Sequence, residues 1–353
     1  MRAAVLYGPN DLRVADLPVP EPGPGEALVH VRMTGVCGSD IPRVLGDAAH
    51  FYPLVLGHEI AGEVAAVGAG VDASLVGRRV AVAPLLPCHA CEQCRLGHYS
   101  QCPNYSFIGS RVNGGLAEYL VAPVLNLTVV DQTVPFRDIA FFEPSTVALH
   151  GLRHAGFTGG GDVVVLGAGT IGLFALQWAR ILGASRVAVV DVNPARLATA
   201  TALGADLALD SREGDAARLL RSWQGGSGFG HVFETAGQNA TMALAFQLAG
   251  PHASVCFIGT SHADLRFDAA RFELMNRREF RLTGSWMSYS APFPGPEWTL
   301  TADHVADGSL RIIDDLVHAV HPLEQVMEAF QLFRTPGAVT GKLLFTPSPS
   351  TQE

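Results

Sequence analysis

A chain of 353 residues is long enough for about two domains. A hydrophobic fraction of 48% beside 16% charged residues describes a folded protein with real cores and excludes a disordered one. The net charge of −9 argues against nucleic acid or an acidic membrane surface as a partner, although one local arginine can still outweigh a diffuse field for a small anionic substrate. The opening MRAAVLYGPNDLRV reads as a strand and a turn without the apolar core or cleavage site of a signal peptide, so a cytoplasmic address is expected.

In chain order, Ala27–Met33 alternates as a strand does, after a Pro/Gly connector at residues 18–25. Short strand-like runs follow at Glu63–Val67, Arg79–Pro84 and Leu116–Val121, the pattern of an irregular β-rich domain. From about Leu149 strands and helices alternate. Parallel strands are expected at Val163–Leu166, Val187–Val190, Leu207–Leu209, His231–Glu234, Ser254–Ile258 and Phe280–Thr283. Six such strands with helices between them predict an α/β doubly wound parallel sheet. The last segment carries a helix-like Leu323–Phe333 and a closing strand at Lys342–Phe345, and most simply returns to the first domain. The expected boundaries are therefore 1–153 with 288–353 for the β-rich domain, and 154–287 for the doubly wound one. The uncharged run Val163–Ala179 contains three regularly placed glycines inside a strand–helix–strand pattern, which makes it part of a soluble fold and not a membrane span.

That run contains Gly167-Ala-Gly169-Thr170-Ile171-Gly172 between a β-branched strand and an apolar helix. The first two glycines allow a tight turn and close backbone approach to a pyrophosphate. The third allows helix and strand to pack closely, and the helix N-terminus offers free N–H groups to the anion. Asp191, roughly 20 residues further on, stands where a carboxylate bonds both ribose hydroxyls and repels a 2′-phosphate. A dinucleotide is expected, with NAD favoured over NADP.

Five of the six cysteines precede Gly109. Cys88, Cys91, Cys94 and Cys102 fall in C-x2-C-x2-C-x7-C on a polar loop at about residues 84–103, the spacing of a closed tetrahedral Zn²⁺ site. The spacing differs from that of ferredoxin clusters, and disulfides are not expected in a chain without an export signal. With no open coordination position this zinc is structural. His89 and His98 beside it are read as solvated loop residues.

Cys37 lies in Gly35-Val-Cys-Gly-Ser-Asp40, His58 in Gly57-His-Glu-Ile-Ala-Gly62, and Glu143 in FFEPSTVALHG. Each alone is unremarkable. Together with G-H-E-x2-G-x5-G, the four-cysteine lobe and GAGTIG, and in that order, they resemble the zinc-dependent medium-chain alcohol and polyol dehydrogenases. The resemblance covers nearly the whole chain and is closest to the polyol branch. The stretches that carry it further are CGSDIPR, VLGHE, PLLPC, YSQC, FIGSR with NGGLAEY, ETAG, AGPHA and GSWMSYS.

The resemblance implies a GroES-like catalytic domain with an inserted Rossmann domain, and two zinc ions per chain. Cys37, His58 and Glu143 match the catalytic zinc ligands, with Glu59 as an alternate or exchanging ligand. Asp40 matches the carboxylate that holds the zinc-bound histidine in one tautomer. Ser39 matches the hydroxyl that takes the first proton from the substrate. Many relatives continue that relay to a histidine three residues on; here the residue is Pro42, so the proton leaves through the ribose hydroxyls, ordered water or Glu59. Arg196 resembles the arginine that lies against the adenosine, with an exposed helix arginine as the alternative reading.

The implied reaction oxidises a secondary hydroxyl of a polyol or sugar-alcohol phosphate to a ketone, zinc acidifying the hydroxyl and NAD taking the hydride. Arg43 and Arg111 are the candidates for phosphate contact; each alone is more often a surface ion-pair partner. Trp286 and Tyr289 line the substrate cleft, a subunit contact or ordinary packing, while His150 and Cys256 are read as core. Alternatives are dehydrogenation of an unphosphorylated polyol, an aminocyclitol or a simple secondary alcohol. A nucleic-acid-binding zinc ribbon is disfavoured by the acidic balance, and a zinc-free quinone reductase by both cysteine sets. A homodimer or homotetramer is expected, because strand Phe280–Ser285 would leave an exposed sheet edge in a monomer.

Overall fold

A computed structural model describes residues 1–261 and 263–348. The chain divides into two compact units, one formed by Met1–Glu143 with the chain from Tyr289 onward, the other by Pro144–Ser288.

The first unit is β-rich. Its main sheet runs in the order Leu127–Val129, Arg79–Val82, Glu59–Val67, Glu26–Gly35, Lys342–Thr346, Val317–Pro322, with Tyr119–Pro123 also paired to Glu26–Gly35. Glu26–Gly35 alternates as its sequence demands: Ala27, Val29 and Val31 point inward and are fully buried. They pack with Ile60, Val64 and Val80 into one apolar cluster. The last glycine of the G-H-E-x2-G-x5-G motif has a steric reason. A Cβ on Gly68 would lie 1.8 Å from the Gly23 carbonyl oxygen, so the Pro/Gly connector passes too close for any side chain.

The closing strand pairs antiparallel with Glu26–Gly35 through Leu344 and Phe345, which returns the C-terminal segment to the first sheet. The expected strand Leu116–Val121 begins instead at Tyr119, because Leu116 gives its N–H to the Leu56 carbonyl and Ala117 makes only an isolated bridge to Ala3. Leu323–Phe333 forms a helix at Val326–Gln331 between two 3₁₀ turns.

The second unit is a six-stranded parallel sheet in the order Leu207–Asp210, Arg186–Asp191, Asp162–Leu166, Phe229–Glu234, Ala249–Phe257, Arg281–Gly284. In chain order that is 3-2-1-4-5-6, the doubly wound arrangement, and its switch point lies where Asp162–Leu166 meets Phe229–Glu234. The central strands are apolar without alternation, as strands covered on both faces must be: Val163, Val164, Val165 and Leu166 are all fully buried. The expected α/β class, a β-rich domain plus a doubly wound sheet, is the one observed. The edge strand Arg281–Gly284 leaves Leu282 40% exposed and is followed by Trp286, 52% exposed.

The helix Phe142–His154 carries the chain from the first unit to the second after Glu143, ten residues before the expected boundary at 153. The side chains explain the shift. Ser145 Oγ accepts a hydrogen bond from Trp178 Nε1 at 3.0 Å, and Ala155, just beyond the helix, accepts one from Ser254 Oγ at 2.8 Å, so this stretch is packed into the second unit. Among the described residues no helix is long and apolar enough to cross a membrane. The apolar run Val163–Ala179 is a strand, a glycine turn and most of the helix Thr170–Ile181.

Candidate metal centres and dinucleotide site

The sulfurs of Cys88, Cys91, Cys94 and Cys102 all lie within 4.8 Å of one another. Cys91 Sγ and Cys102 Sγ are 3.8 Å apart. With Zn–S bonds of about 2.3 Å, the edge of a tetrahedral tetrathiolate is about 3.8 Å, so this spacing fits the ion. Backbone amides already serve the sulfurs: Cys91 N donates to Cys88 Sγ at 3.3 Å and Cys94 N to Cys91 Sγ at 3.5 Å. The Cys88 thiol is pulled down to about 6, first by the amides of Ala90 and Cys91, while burial pushes Cys94 up to about 12. Four thiolates this close need a cation. His89 packs its ring against Tyr99 and Phe293, and His98 contacts Gln93; neither joins the sulfur group.

The second group is Cys37, His58 and Glu59, whose ligand atoms also lie within 4.8 Å of one another. A thiol, an imidazole and a carboxylate form a zinc donor set with room for a further ligand. Asp40 is buried behind it. Its Oδ1 stands 3.6 Å from His58 Nδ1, a nitrogen that makes no hydrogen bond, and its Oδ2 accepts the Cys37 amide at 3.1 Å. Arg43 Nη1 donates to Asp40 Oδ1 at 3.1 Å and to Ser39 Oγ at 3.0 Å. Burial pushes the Asp40 carboxyl upward, but His58, Arg43 and the Cys37 amide outweigh it and hold it below the ordinary range. For His58 burial works downward, and Asp40 and Cys37 overcome it, holding the imidazole well above its usual value.

Glu143, expected as the third ligand, does not join the close group; Glu59, its expected alternate, does. The two carboxylates differ in surroundings. Both Glu59 oxygens accept from Lys342 Nζ at 2.6 Å, and the same ammonium donates to the Val36 carbonyl at 3.2 Å. Glu143 is pushed up to about 7, first by desolvation and then by the Glu59 and Asp40 carboxylates, against the opposing charges of His58 and Lys342. The close group therefore fits a metal ion with Glu59 as its carboxylate donor.

Lys342 escaped the sequence reading, although a signal existed. It is the only lysine in a chain whose other 23 basic residues are arginines, and it is buried. Burial lowers its pKa, but Glu59 and Cys37 raise it further, and the ammonium stays above its usual range.

In the second unit the helix Thr170–Ile181 starts at the glycine turn with Gly169 at its N-cap and Thr170 and Ile171 in its first turn. Gly167 sits at φ 104°, and a Cβ on Gly172 would lie 1.8 Å from the Gly167 carbonyl oxygen, so neither position tolerates a side chain. Asp191 ends the second strand as expected and also ties the turn together. Its Oδ2 accepts the Ala168 amide at 2.6 Å, and Oδ1 accepts those of Val192 and Asn193 at 2.7 and 2.8 Å. Thr235, from the ETAG stretch, props the turn from the neighbouring strand by donating to the carbonyls of Leu166 and Gly167, each at 3.0 Å. Arg196 lies in the first turn of the helix Pro194–Ala202.

Arg111 is exposed, stacked on the Tyr105 ring at 4.1 Å, with Nη1 donating to the Tyr105 carbonyl. Tyr289 is buried and its hydroxyl accepts the Leu85 amide. Cys256 is fully buried, and burial pushes its thiol up to about 11. His150, read as core, is only partly buried and stacks on His154, one helical turn away at 5.9 Å.

Comparison with known proteins agrees with this geometry. Residues 23–132 match the alcohol dehydrogenase GroES-like domain and residues 170–303 the zinc-binding dehydrogenase family. Galactitol 1-phosphate 5-dehydrogenase of Escherichia coli K12 is 39% identical over 98% of this chain and 100% of its own. The chain belongs to the zinc-binding alcohol and polyol dehydrogenase family. The crystal structure of galactitol-1-phosphate dehydrogenase from Escherichia coli superposes with a TM-score of 0.93 at 39% identity, covering 98% of this chain and 100% of that one. Two further similar structures hold nicotinamide cofactors. One, described as a short chain alcohol dehydrogenase from Escherichia coli CFT073 and complexed with NADH, has a TM-score of 0.88 at 28% identity over 98% of this chain and 99% of its own. The other, a zinc-binding dehydrogenase from Sinorhizobium meliloti with NADP, has a TM-score of 0.88 at 29% identity over the same shares.

Proposed function

We propose that this dehydrogenase oxidises a secondary hydroxyl of a polyol or sugar-alcohol phosphate to a ketone, with NAD as acceptor and two zinc ions per chain, one structural and one catalytic. The observation that carries the reading is the donor group of Cys37, His58 and Glu59 with Asp40 behind it, in a chain 39% identical to a polyol-phosphate dehydrogenase over its full length. Cys88, Cys91, Cys94 and Cys102 would hold the structural ion. Cys37, His58 and one carboxylate, Glu143 with Glu59 as its alternate, would hold the other. Bound there, zinc supplies the Lewis acidity that brings a hydroxyl's pKa toward about 7, and NAD supplies the hydride acceptor.

The chain's own residues do the rest. Asp40 orients His58 and, through Arg43, fixes the side chain of Ser39. Ser39 Oγ already accepts from Arg43 and is the group assigned to take the substrate proton. Pro42 ends any relay along this helix, so the proton leaves by water, the ribose hydroxyls or Glu59. Lys342 Nζ holds both oxygens of Glu59 in place.

Initial rates with NAD on galactitol 1-phosphate, galactitol, sorbitol, xylitol and a simple secondary alcohol test the reading. Preference for the phosphorylated polyol is expected. Turnover of none of them would overturn the reaction class, and equal turnover of galactitol would remove the phosphate from the proposal.

Asp191 supports NAD as the cofactor. Asp191→Ala is expected to raise the KM for NAD about tenfold and to relax the exclusion of NADP, through loss of both the ribose contact and the turn's tie to Ala168. An unchanged NAD-to-NADP ratio would place the specificity elsewhere. The exposed edge strand Arg281–Gly284, with Leu282 and Trp286 beside it, supports a homodimer or a homotetramer built from it.

A further inference from the structure

We propose that the doubly wound unit carries a second anion site, built from Arg218, Arg221 and Arg278, and that it takes a small organic phosphate monoester. None of these residues serves the reaction proposed above.

The helix Ala216–Gln224 sets two of the three. Leu220 is fully buried in the unit's apolar cluster, which turns the other flank of the helix outward. Arg218 and Arg221 are three residues apart, and Arg218 and Ser222 four, so they share one strip of that flank. Arg278 ends the helix Ala269–Arg278. A cavity of about 550 Å³ is walled by both helices, with Arg218, Arg221, Ser222, Leu274, Arg278 and Asp215 in its lining.

Chain order gives its place in the sheet. The glycine turn follows the carboxyl end of strand Asp162–Leu166, whereas Arg221 comes before strand Phe229–Glu234 and Arg278 before Arg281–Gly284. These strands are parallel. Arg221 and Arg278 therefore stand at the amino ends of the strands and the dinucleotide turn at the carboxyl ends.

One oxygen joins the two arginines. The Gln247 carbonyl accepts from Arg221 Nη1 at 3.2 Å and from Arg278 Nη1 at 2.9 Å. Arg278 Nη1 also donates to the carbonyls of Phe246 and Ala249 at 3.2 and 2.6 Å, and Arg221 Nη2 to that of Gly226 at 2.9 Å. These bonds cap the end of helix Asn239–Leu248, whose last carbonyls lack partners within the helix. Capping occupies only part of the donors. Nε and Nη2 of Arg278, Nε of Arg221 and the whole Arg218 guanidinium make no hydrogen bond to a described residue.

Carbonyls carry no net charge, so capping leaves three positive charges in place. Among the described residues none of the three arginines has a carboxylate within ion-pair distance, although their neighbours do: Arg212 has Asp210, Arg271 has Asp268 and Arg277 has Glu273. Asp215, in the lining, accepts the Arg218 amide at 3.0 Å as the N-cap of its helix. Burial first, and then the charge of Arg221, hold the Arg278 guanidinium below its ordinary range. Three guanidiniums against one carboxylate leave a double positive charge, which matches the dianion of a phosphate monoester. Guanidinium forks pair with phosphate oxygens two at a time, and the cavity's volume and its Leu274 wall leave room for the carbon part of an ester.

The test is calorimetric titration of the zinc-replete, NADH-saturated enzyme with inorganic phosphate and with glucose 6-phosphate. Both probes are expected to bind, glucose 6-phosphate more tightly. Arg218→Gln and Arg221→Gln are each expected to weaken glucose 6-phosphate about tenfold. Arg218 bonds nothing with its side chain, so its variant removes a ligand contact and leaves the helix cap intact. Arg277→Gln, the same loss of charge on an arginine already paired and exposed, should change the affinity by no more than about twofold. The KM for NAD should be unaltered in Arg218→Gln. Unchanged affinity in Arg218→Gln and Arg221→Gln, an equal loss in Arg277→Gln, or a parent enzyme that binds neither probe overturns the site. Equal affinity for the two probes overturns the organic monoester as its ligand.

Discussion

Replacing Cys37 by serine is expected to abolish turnover, lowering kcat/KM on the order of 10⁴-fold or more, because Lewis-acid stabilisation is worth several kcal/mol. Zinc content should fall at the same time from about two ions per chain to about one. The serine hydroxyl stays protonated and cannot replace the thiolate, while His58 and Glu59 keep their positions on a separate strand and its approach. The four sulfurs of the lobe share no residue with this group and should keep their ion. Metal analysis alongside initial rates checks both halves. Retained activity, or loss of both ions together, would sink the assignment of two independent centres.

The second large effect is expected at Lys342. Its ammonium contacts both oxygens of a carboxylate that is itself buried. Lys342→Met keeps the volume and removes the charge, leaving Glu59 as an uncompensated buried anion. Breaking a buried pair in this way costs about 3–5 kcal/mol. Chemical unfolding of the chelator-treated protein should show that loss in the first unit, and Glu59→Gln added to Lys342→Met should restore a good part of it. A single variant within about 0.5 kcal/mol of the parent, with no coupling in the cycle, would mean that the pair does not hold Glu59.

Much of the architecture could be read from the chain because its signals are local. Parallel strands covered on both faces appear as unbroken apolar runs, which is why Val163–Leu166 and its neighbours stood out. The four cysteines announce their lobe by spacing alone. What escaped depends on distance along the chain or on a second use of a residue already assigned. Lys342 meets Glu59 across 283 residues, and nothing in its own strand marks the pairing. Asp191 was read for its ribose contact, yet its carboxylate also staples the glycine turn shut. The unit boundary fell at Glu143 because a single helix carries the chain across it, and helical periodicity gives no sign of which unit a turn packs into. His150, read as core from its apolar neighbours, sits at the margin of that same helix.

The placement of Lys342 has a consequence for how the protein is made. The strand carrying it is the last of the first unit's main sheet to emerge, long after Cys37, His58 and Glu59. At translation speeds of 5–20 residues per second, the separation of 283 residues corresponds to roughly 15–60 s. During that interval Glu59 has no ammonium beside it, and the edge of Glu26–Gly35 that will receive Leu344 and Phe345 is bare. The whole parallel-sheet unit can be synthesised in the meantime. The metal-binding half of the enzyme is therefore begun first and finished last, and its only lysine closes it.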